Sequence, residues 1–566
     1  MAHRMYAALA LALSVFTVSF LSAQEALKSA EEEYYDFLAV QGKAERGFLN
    51  YRTLSDSVWT LEGEAAEGSH VWAGNNLGTR FLLWQPAVPA ENAFARGLDQ
   101  GVTLRVYGPE WFNSFNTHAP YGQNDGGLWQ GKGYNTSLSA GARLEAYGFE
   151  LTIKPQLSFS QNAAFDLLPS GYDSPYAYFW SYILNQGIDN PQRFGDRAFW
   201  NFDWGDTEIR WSWHGLTVGF GTQAVWLGPA HAFPILHSNN AGGYPKLDIG
   251  LRRTAVTIPW IDWYAGDIEA RIWTGCLTES GYFDNDASNN RNMIHGLTFS
   301  YAPSFAPGLV LSANRVCLVK WDWANLKYIV PLAENTHVGE HGAGEDQKMS
   351  VSFRWTFPQV GFELYGEIGK DDFSNYKIPN PMHTLVYTAG LKKTFTFSEK
   401  HRVYGELVFE LSNMEMSQDF QWQWPYSFYF HHQVTQGYTN RGQILGNGWN
   451  PGGNAQFLGL NVYYPRGKTL IFLQRTNPDN NFIHKDSIKT TEGENAQPSK
   501  RSKYRTWFAT GVSSDFFVTK DLRIFGGVQI IDVSFPFYYF DDLQEENRYT
   551  HFSWMFHFEL GCKWNF

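Results

Sequence analysis

The chain ends on FSWMFHFELGCKWNF, residues Phe552–Phe566, with an apolar side chain at every second position. Successive side chains of a strand point to opposite faces, so this spacing predicts a strand with one apolar and one polar face. The apolar stripe consists of Phe552, Trp554, Phe556, Phe558, Leu560, Cys562, Trp564 and Phe566. A soluble protein has no reason to end on so long an apolar stripe, so the pattern favours a wall strand facing lipid.

The same alternation recurs from about Val71 onward. In Ser350–Phe357 every odd position is apolar and every even one polar, and charges of both signs occupy the polar face of residues 208–213, 267–273 and 402–411. Alternation alone also fits a soluble β-sandwich. The final strand decides between them, because it resembles the strand by which outer-membrane barrels are recognised for insertion. The fold class predicted is all-β, a transmembrane outer-membrane β-barrel of antiparallel strands.

Composition supports this class. Of 566 residues, 17% are aromatic and only 18% charged, while the mean hydropathy of −0.35 is far below that of a helical membrane protein. A barrel gives such values because half of each strand faces water. The net charge of −12 argues against a nucleic-acid partner, whose phosphates require a basic surface. The three cysteines lie far apart without a metal-ligand spacing, and no cofactor or metal site is predicted.

Three segments are predicted along the chain. Residues 1–23 are typical of a signal peptide, with a polar start, a short apolar run and small residues before Gln24. A membrane anchor is the alternative, but the run is short for a span. Residues 24–70 have apolar positions near helical spacing, and we expect one or two short periplasmic helices, with Glu31, Glu32 and Glu33 on a solvated face. Residues 71–566 form the barrel.

Strand number follows from length. Roughly 490 residues remain for the barrel, and each spanning strand with its share of turns and loops takes about 27, which gives about 18 strands. Longer polar stretches are then outer loops, namely 160–206, 283–291, 320–347, 414–456 and 476–501. Because these loops are long enough to fold inward over a charged lumen wall, we expect a plugged barrel rather than an open pore.

One stretch differs from the strands around it. Gln223–Arg253, QAVWLGPAHAFPILHSNNAGGYPKLDIGLRR, combines four glycines and three prolines with stacking and hydrogen-bonding side chains. This composition predicts a long irregular connection that is able to contact a ligand. Its Trp-x-Gly-Pro, Ile-Leu-x-Ser-Asn-Asn-Ala and following Arg-bearing strand resemble the core motif of the capsule assembly Wzi family.

The resemblance implies a function and a site. Wzi-like proteins are eighteen-stranded outer-membrane barrels that act as surface lectins for capsular polysaccharide, with a small periplasmic helical element. Carried onto this chain, the resemblance implies a polysaccharide site formed by Trp226, His231, His237, Asn239, Asn240, Tyr244 and Arg252. Weaker similarity to the family occurs at residues 295–303, 364–367 and 438–446.

These residues also have structural interpretations. Trp226 fits a membrane boundary, and Asn239 and Asn240 fit turn positions with left-handed backbone. Asp248 and Arg252 are four apart on one wet strand face, where they most simply pair with lumen charges such as Glu269 and Arg271. Arg253 is out of phase with them and marks a bulge or a snorkelling position.

Three functions remain open. The leading hypothesis is a non-enzymatic binder that attaches exported capsular or other exopolysaccharide to the cell surface. A diffusion porin for small solutes or saccharides is the alternative, and an outer-membrane hydrolase or acyltransferase is the third. No catalytic residues are predicted, because no Gly-x-Ser-x-Gly motif or matched acid–base set occurs. The expected partners are polysaccharide, outer-membrane lipid and the barrel-assembly machinery through the strand ending at Phe566, with the protein a monomer.

The C-terminal stripe yields a test of the fold class. Deleting Phe566, or combining Trp564→Asp with Phe566→Asp, is expected to leave the chain misassembled in the periplasm, because the insertion strand loses its apolar end. Heat-modifiable mobility on gels of outer-membrane fractions reports assembly. Ser553→Asp, on the polar face, is the matched control. A normally inserted Phe566 deletion variant would contradict the assignment.

Overall fold

The computed structural model describes residues 23–24, 27–86, 101–167, 170, 173–177, 188–330, 344–371, 384–415, 428–431, 433–481, 505–534 and 554–566. In these ranges eighteen antiparallel strands close into a barrel. They are β1 Val102–Asn116, β2 Gly133–Ala146, β3 Phe149–Ile153 with Gln156–Ser160, β4 Phe199–Asp203 with Glu208–Trp213, β5 Leu216–Gly221, β6 Lys246–Ile258, β7 Trp263–Thr278, β8 Arg291–Pro303, β9 Leu309–Lys320, β10 Asp346–Phe357, β11 Phe362–Asp371, β12 Leu385–Ser398, β13 Val403–Asn413, β14 Asn454–Tyr464, β15 Gly467–Asn477, β16 Thr506–Phe517, β17 Leu522–Ser534 and β18 Trp554–Trp564. The predicted fold class and strand number are confirmed.

Each strand pairs with its neighbour in sequence, and β18 pairs with β1 to close the wall, with Phe558 opposite Phe115. Strands β3 and β4 are each interrupted, at residues 154–155 and 204–207, where an isolated bridge joins Lys154 and Gly205. One end of the barrel has short connections such as 147–148 and 214–215, and we call it the turn end. The opposite end carries the long connections and is called the loop end.

The alternation in sequence maps directly onto the two faces of the wall. In β10, Met349 and Val351 are each 55% exposed on the outside, whereas Ser350 and Lys348 are buried toward the lumen. The outside is therefore an apolar belt, as a lipid-facing surface requires, and the charged side chains face inward. Phe552 of the C-terminal stripe and the segment 1–22 lie outside the described residues, so the predicted signal peptide stays a prediction.

The N-terminal segment lies inside the turn end of the barrel. Helix α1, Ala30–Val40, begins after Ser29, whose side chain accepts a hydrogen bond from the Glu32 N–H, and it ends before Gly42, which has a φ of +69°. A second helix, α2, spans Gly63–Ala66. The strands Ala23–Gln24, Val58–Leu61 and Ala44–Arg46 form a small separate sheet.

The expected solvated face of α1 is wrong at two positions. Glu31 and Glu32 are both buried, at 0% and 2% exposure. Glu31 binds Lys563 at 3.0 Å and Arg523 at 3.3 Å across the lumen. Burial disfavours the charged form, but these two cations outweigh burial and hold the pKa of Glu31 well below its usual range. Glu31, whose charge looks solvated on an isolated helix, is thus paired with the wall, and Glu32 is paired with Arg52 of the N-terminal segment.

The connection between β5 and β6, residues 222–245, folds into the lumen, and we call it the plug loop. Its backbone pairs with the N-terminal segment, since the Trp226 N–H donates to Arg52 O at 2.7 Å and the Arg52 N–H donates to Trp226 O at 3.1 Å. Leu227, Ile235 and Leu236 are fully buried in the largest apolar cluster. The plug loop and the N-terminal segment therefore fill this part of the lumen with packed chain.

Shorter elements complete the described chain. They are the strand Arg80–Trp84 beside β1, the 3₁₀ helices Trp323–Ile329 and Pro358–Val360, and the strand pair Thr439–Asn440 and Gln443–Ile444. No helix among the described residues is long and apolar enough to cross a membrane.

The filled lumen leads to a measurable expectation. Because α1 and the plug loop occupy the lumen, the purified protein in planar bilayers is expected to show little steady conductance in single-channel recordings. A known open porin inserted under the same conditions serves as the control. A large ohmic step for every inserted molecule would show that the filling leaves a pore and would favour the porin hypothesis.

Candidate functional site

Trp226 of the plug loop is fully buried, at 0% exposure. Its Nε1 donates to Ala230 O at 3.2 Å, and its ring lies beneath the cations of Arg52 and Lys28, 5.3 and 5.5 Å from the ring centroid. Each of these contacts joins the plug loop to itself or to the N-terminal segment. The indole therefore offers no free face to a polymer outside the barrel.

His237 and Tyr244 are also buried and bind each other. Nε2 of His237 lies 2.9 Å from the Tyr244 hydroxyl, and Nδ1 lies 2.7 Å from the Tyr438 hydroxyl. Burial, with Lys246 adding to it, lowers the pKa of His237 to about 3. The imidazole is neutral at physiological pH. Its Nε2 contacts Tyr244 within the plug loop, and its Nδ1 connects the plug loop to the loop that contains Tyr438.

The remaining predicted loop residues occupy different positions. His231 borders an internal charged cavity, and its N–H donates to Glu410. Asn239 accepts the Gly126 N–H on its carbonyl oxygen at 2.7 Å. Asn240 donates to Ile444 O at 2.8 Å, accepts the Asn124 N–H at 3.2 Å, and lines a cleft at the loop end. Of the seven predicted residues, Asn240 alone is found at this cleft.

Arg252 and its neighbours form the lumen ion pairs that the strand pattern suggests. Asp248 binds Arg271 at 2.7 Å, as predicted, and Arg210 also at 2.7 Å. Arg252 binds Glu150 and Asp56 rather than Glu269. The pairing of β6 with β7 shifts register between Leu251 and Thr254, so of the two interpretations given for Arg253, a bulge or a snorkelling position, the bulge is confirmed.

These positions favour the structural interpretation of the plug-loop motif. Its glycines and prolines set an irregular backbone, and its polar side chains satisfy buried partners. The predicted contact of these side chains with a saccharide stays a prediction, and their burial gives it no support at Trp226, His237 and Tyr244. A cleft open to solvent lies elsewhere at the loop end.

At the loop end lies a cleft with about 610 Å³ of empty space, solvent included. We call it the outer cleft. Four aromatic side chains line it, Tyr121, Trp129, Trp449 and Trp507, together with polar side chains that include Gln123, Asn124, Asp125, Gln130, Asn190, Asn240 and Gln443.

The aromatic side of the outer cleft is built around Tyr121. Its ring centroid is 5.2 Å from that of Trp449, edge to face, and 5.7 Å from that of Trp507. Both tryptophans remain partly exposed, and Nε1 of Trp507 has no hydrogen-bond partner among the described residues. Partly exposed aromatic faces thus stand beside the polar side chains that line the cleft.

The polar side of the cleft includes a carboxyl group with a shifted pKa. Asp125 accepts a hydrogen bond from Gln130 Nε2 at 2.7 Å. Burial first, and the negative charge of Glu559 next, raise the pKa of Asp125 to about 7. Near neutral pH this group both donates and accepts hydrogen bonds.

Sequence reasoning missed the outer cleft. Its aromatic residues come from 121–129, from 449 and from the start of β16, so no local motif contains them. Trp449 alone lies in a predicted outer loop, 414–456, so the content of those loops gave no signal for Tyr121, Trp129 or Trp507. Among the described residues, no group of three or more His, Cys, Asp or Glu side chains is placed to hold a metal ion.

The geometry defines a class of protein, an outer-membrane β-barrel with a packed lumen and an aromatic, amide-lined cleft at its outer end. The sequence profile of the family described as capsule assembly protein Wzi matches residues 114–547, most of the chain. The chain belongs to the capsule assembly protein Wzi family, and the resemblance inferred from the plug-loop motif is confirmed. The turn end therefore faces the periplasm and the loop end the outside.

Solved structures of similar fold include Wzi from Escherichia coli, described as a carbohydrate-binding β-barrel involved in group 1 capsule assembly. It is 12% identical, over 81% of this chain and 85% of that chain, with a TM-score of 0.49. Pseudomonas putida OprB is 12% identical over 83% and 95% of the two chains, with a TM-score of 0.35. Pseudomonas aeruginosa OccK2 is 10% identical over 82% and 97%, with a TM-score of 0.38. Comparison with curated proteins gives no match.

The raised pKa of Asp125 predicts a pH dependence. Because the folded-state pKa of about 7 exceeds the ordinary value of 3.8, the stability contributed by Asp125 is complete below 3.8 and is lost as pH rises toward 7. Asp125→Asn removes this loss, so its unfolding midpoint in detergent is expected to exceed that of the wild type at pH 8 by more than at pH 4.5. Asp262→Asn, at an exposed periplasmic turn, is the control. A constant difference across this pH range would contradict the shift.

Proposed function

We propose that this protein binds an exported capsular or other exopolysaccharide at its outer cleft and attaches the polymer to the cell surface. Membership in a family described by capsule assembly supports the class of ligand. The observation that carries the proposal is the outer cleft itself, where partly exposed indole rings lie opposite amide and carboxyl groups.

This combination suits a polysaccharide. One face of a pyranose ring presents C–H groups that pack on a flat aromatic surface, while the hydroxyl groups need fixed donors and acceptors around the rim. Trp449 supplies an aromatic surface, and Asn124, Asp125 and Gln443 supply hydrogen-bonding groups. The walls come from separate loops that are held together by backbone contacts, including Gly126 N–H to Asn239 O at 2.7 Å.

Retention of a polymer does not require strong binding at each cleft. A polysaccharide carries many repeat units, and a cell surface carries many copies of the protein, so weak contacts combine into a high overall affinity. An open cleft with a modest number of side chains is sufficient for this role. The packed lumen is consistent with a binder whose working surface is the outer face.

The packed lumen also argues against the alternative of a diffusion porin, because α1 and the plug loop occupy the path that a solute would take.

We propose that the protein is not an enzyme. We also propose that it is a monomer and that the barrel-assembly machinery engages β18, whose apolar face is exposed along its length.

Trp449→Ala tests the proposal. A glycan array of bacterial polysaccharides identifies a binding polymer, and equilibrium binding of that polymer to protein in detergent is then compared between variants. Loss of a central aromatic contact is expected to weaken binding at least tenfold, on the order of 1.4 kcal/mol or more. The barrel is expected to keep its heat-modifiable mobility, because Trp449 lies in a loop outside the wall.

Trp260→Ala is the matched control, since Trp260 is 90% exposed at the periplasmic turn and loses the same side chain. Equal binding by Trp449→Ala and Trp260→Ala would remove the outer cleft from the ligand site. The double variant Trp226→Ala with Asn239→Ala separates the plug loop from the cleft. If this variant stays folded and releases the polymer while Trp449→Ala does not, the ligand site belongs to the plug loop.

A further inference from the structure

The connection that follows β9 does not extend away from the loop end. Its residues 321–330, which include the 3₁₀ helix Trp323–Ile329, fold back onto the wall, and we call them the flap. Tyr328 of the flap is 2% exposed and packs with Met293 of β8 and with Cys317 and Val319 of β9 in one apolar cluster. The sequence pattern assigns residues 320–347 to an outer loop and gives no sign of this return to the wall.

The strip of wall beneath the flap belongs to the outward face of the barrel. Directly opposite residues of an antiparallel pair lie on the same face. Arg315 pairs with Met349, which is 55% exposed on the outside, and Cys317 pairs with Gln347 and with His295. Side chains two positions apart in a strand also share a face. Arg315 and His295 therefore point toward the side of the wall that carries the apolar belt.

Arg315 and His295 hold the flap through its backbone. Nε2 of His295 donates to Asn325 O at 3.2 Å, and Nη1 of Arg315 donates to Tyr328 O at 3.1 Å. Both side chains are buried, and Arg315 also donates to Oε1 of Gln347 at 2.9 Å. Irregular backbone lies at membrane depth only where protein groups replace water as its hydrogen-bond partners. The wall supplies such partners here, so the flap is built to lie against lipid.

The contacts of the flap with β9 extend from the strand end into the apolar belt. Nδ2 of Asn325 donates to Lys320 O at 2.9 Å at the end of β9, and the bond from Arg315 lies five positions lower. Five residues span about 17 Å along a strand, or about 13 Å of depth after the usual tilt, and the apolar band of a barrel is about 25 Å tall. The flap therefore covers the outer half of the band, which faces the outer leaflet.

The exposed surface of the flap combines aromatic rings with cations. Trp323 is 72% exposed and Trp321 41% exposed, and their ring centroids are 5.8 Å apart, edge to face. The Trp321 N–H donates to Arg291 O at 3.3 Å, so Arg291 lies beside the flap, while Lys320 precedes the flap and Lys327 belongs to it. All three cations are exposed, and neither Arg291 nor Lys320 forms an ion pair with a described residue. Indole rings beside cations suit the boundary between lipid tails and phosphate groups.

We propose that the flap binds a phosphorylated glycolipid of the outer leaflet. The indole of Trp323 packs against the lipid. Arg291, Lys320 and Lys327 bind its phosphate groups. Lipid is the occupant because the flap lies on the same face as the apolar belt and at the end of the barrel that faces the outside. The flap has one acidic group, Asp322, which caps the 3₁₀ helix, so the three cations leave the positive charge that phosphate requires.

Native mass spectrometry of the full-length protein in detergent, freed of bound lipid, tests the site by titration with lipid A that carries two phosphate groups. The wild type is expected to bind it on the order of tenfold more tightly than the same lipid A after removal of its phosphates. The triple variant Arg291→Gln, Lys320→Gln, Lys327→Gln is expected to lose this preference and to bind both forms equally. Trp323→Ala is expected to weaken the binding of both forms by a similar factor, because the ring contacts the lipid rather than its charge.

The triple variant Lys393→Gln, Lys400→Gln, Lys520→Gln is the matched control, because it removes three exposed lysines at the turn end. It is expected to keep the preference for phosphorylated lipid A, and heat-modifiable mobility verifies that every variant is folded. Retained preference in the folded flap variant, equal loss in both triple variants, or a wild type that binds both forms of lipid A equally would overturn the proposal. Release of the lipid by millimolar inorganic phosphate would identify a free phosphate ion as the ligand and would also overturn it. No polysaccharide enters these measurements, so their outcome is separate from that for the outer cleft.

Discussion

Carboxylates on the inner wall that accept hydrogen bonds from backbone N–H groups hold the interior of this barrel together. Glu269 accepts the N–H groups of Leu49, Asn50 and Tyr51 at 2.7–3.0 Å. Glu410 does the same for three consecutive residues of the plug loop, His231, Ala232 and Phe233. Irregular backbone inside a barrel has donors that must be satisfied, and a buried carboxylate needs donors in turn. The carboxylate offsets the cost of burying the backbone N–H groups, and the N–H groups offset the cost of burying the carboxylate. Irregular segments can therefore fill the lumen.

The wall was predictable from sequence because its information is local. Val351 faces outward and Ser352 inward for no reason other than the pleat of β10, and Asp248 reaches Arg271 because β6 and β7 are neighbours. The interior was not predictable, since its partners are remote. Glu269 binds the backbone of Tyr51 across 218 positions, and Glu31 binds Lys563 near the other end of the chain. Period-2 patterns contain nothing about such pairs.

At the candidate site, too, local sequence was not enough, because the outcome depends on how remote parts of the chain come together. Glycine, proline, tryptophan and asparagine in the plug loop suit a ligand loop and a lumen plug equally well, because both need special backbone and satisfied polar groups. Burial of Trp226 distinguishes the two, and burial depends on where the loop folds. The outer cleft assembles Tyr121, Trp449 and Trp507 from distant positions, so only the closed barrel brings them together.

The link between Glu31 and the final strand also bears on the timing of synthesis. Helix α1 is synthesised well before Lys563 and Asn565, which both bind Glu31. Until β18 is in place the helix lacks these partners, and Glu31 stays hydrated by water. Its first turn carries three consecutive glutamates, and in the folded barrel each of them forms an ion pair that holds the helix in place. A chain truncated before β18 loses both the pairing of β18 with β1 that closes the barrel and part of the set of contacts that hold α1.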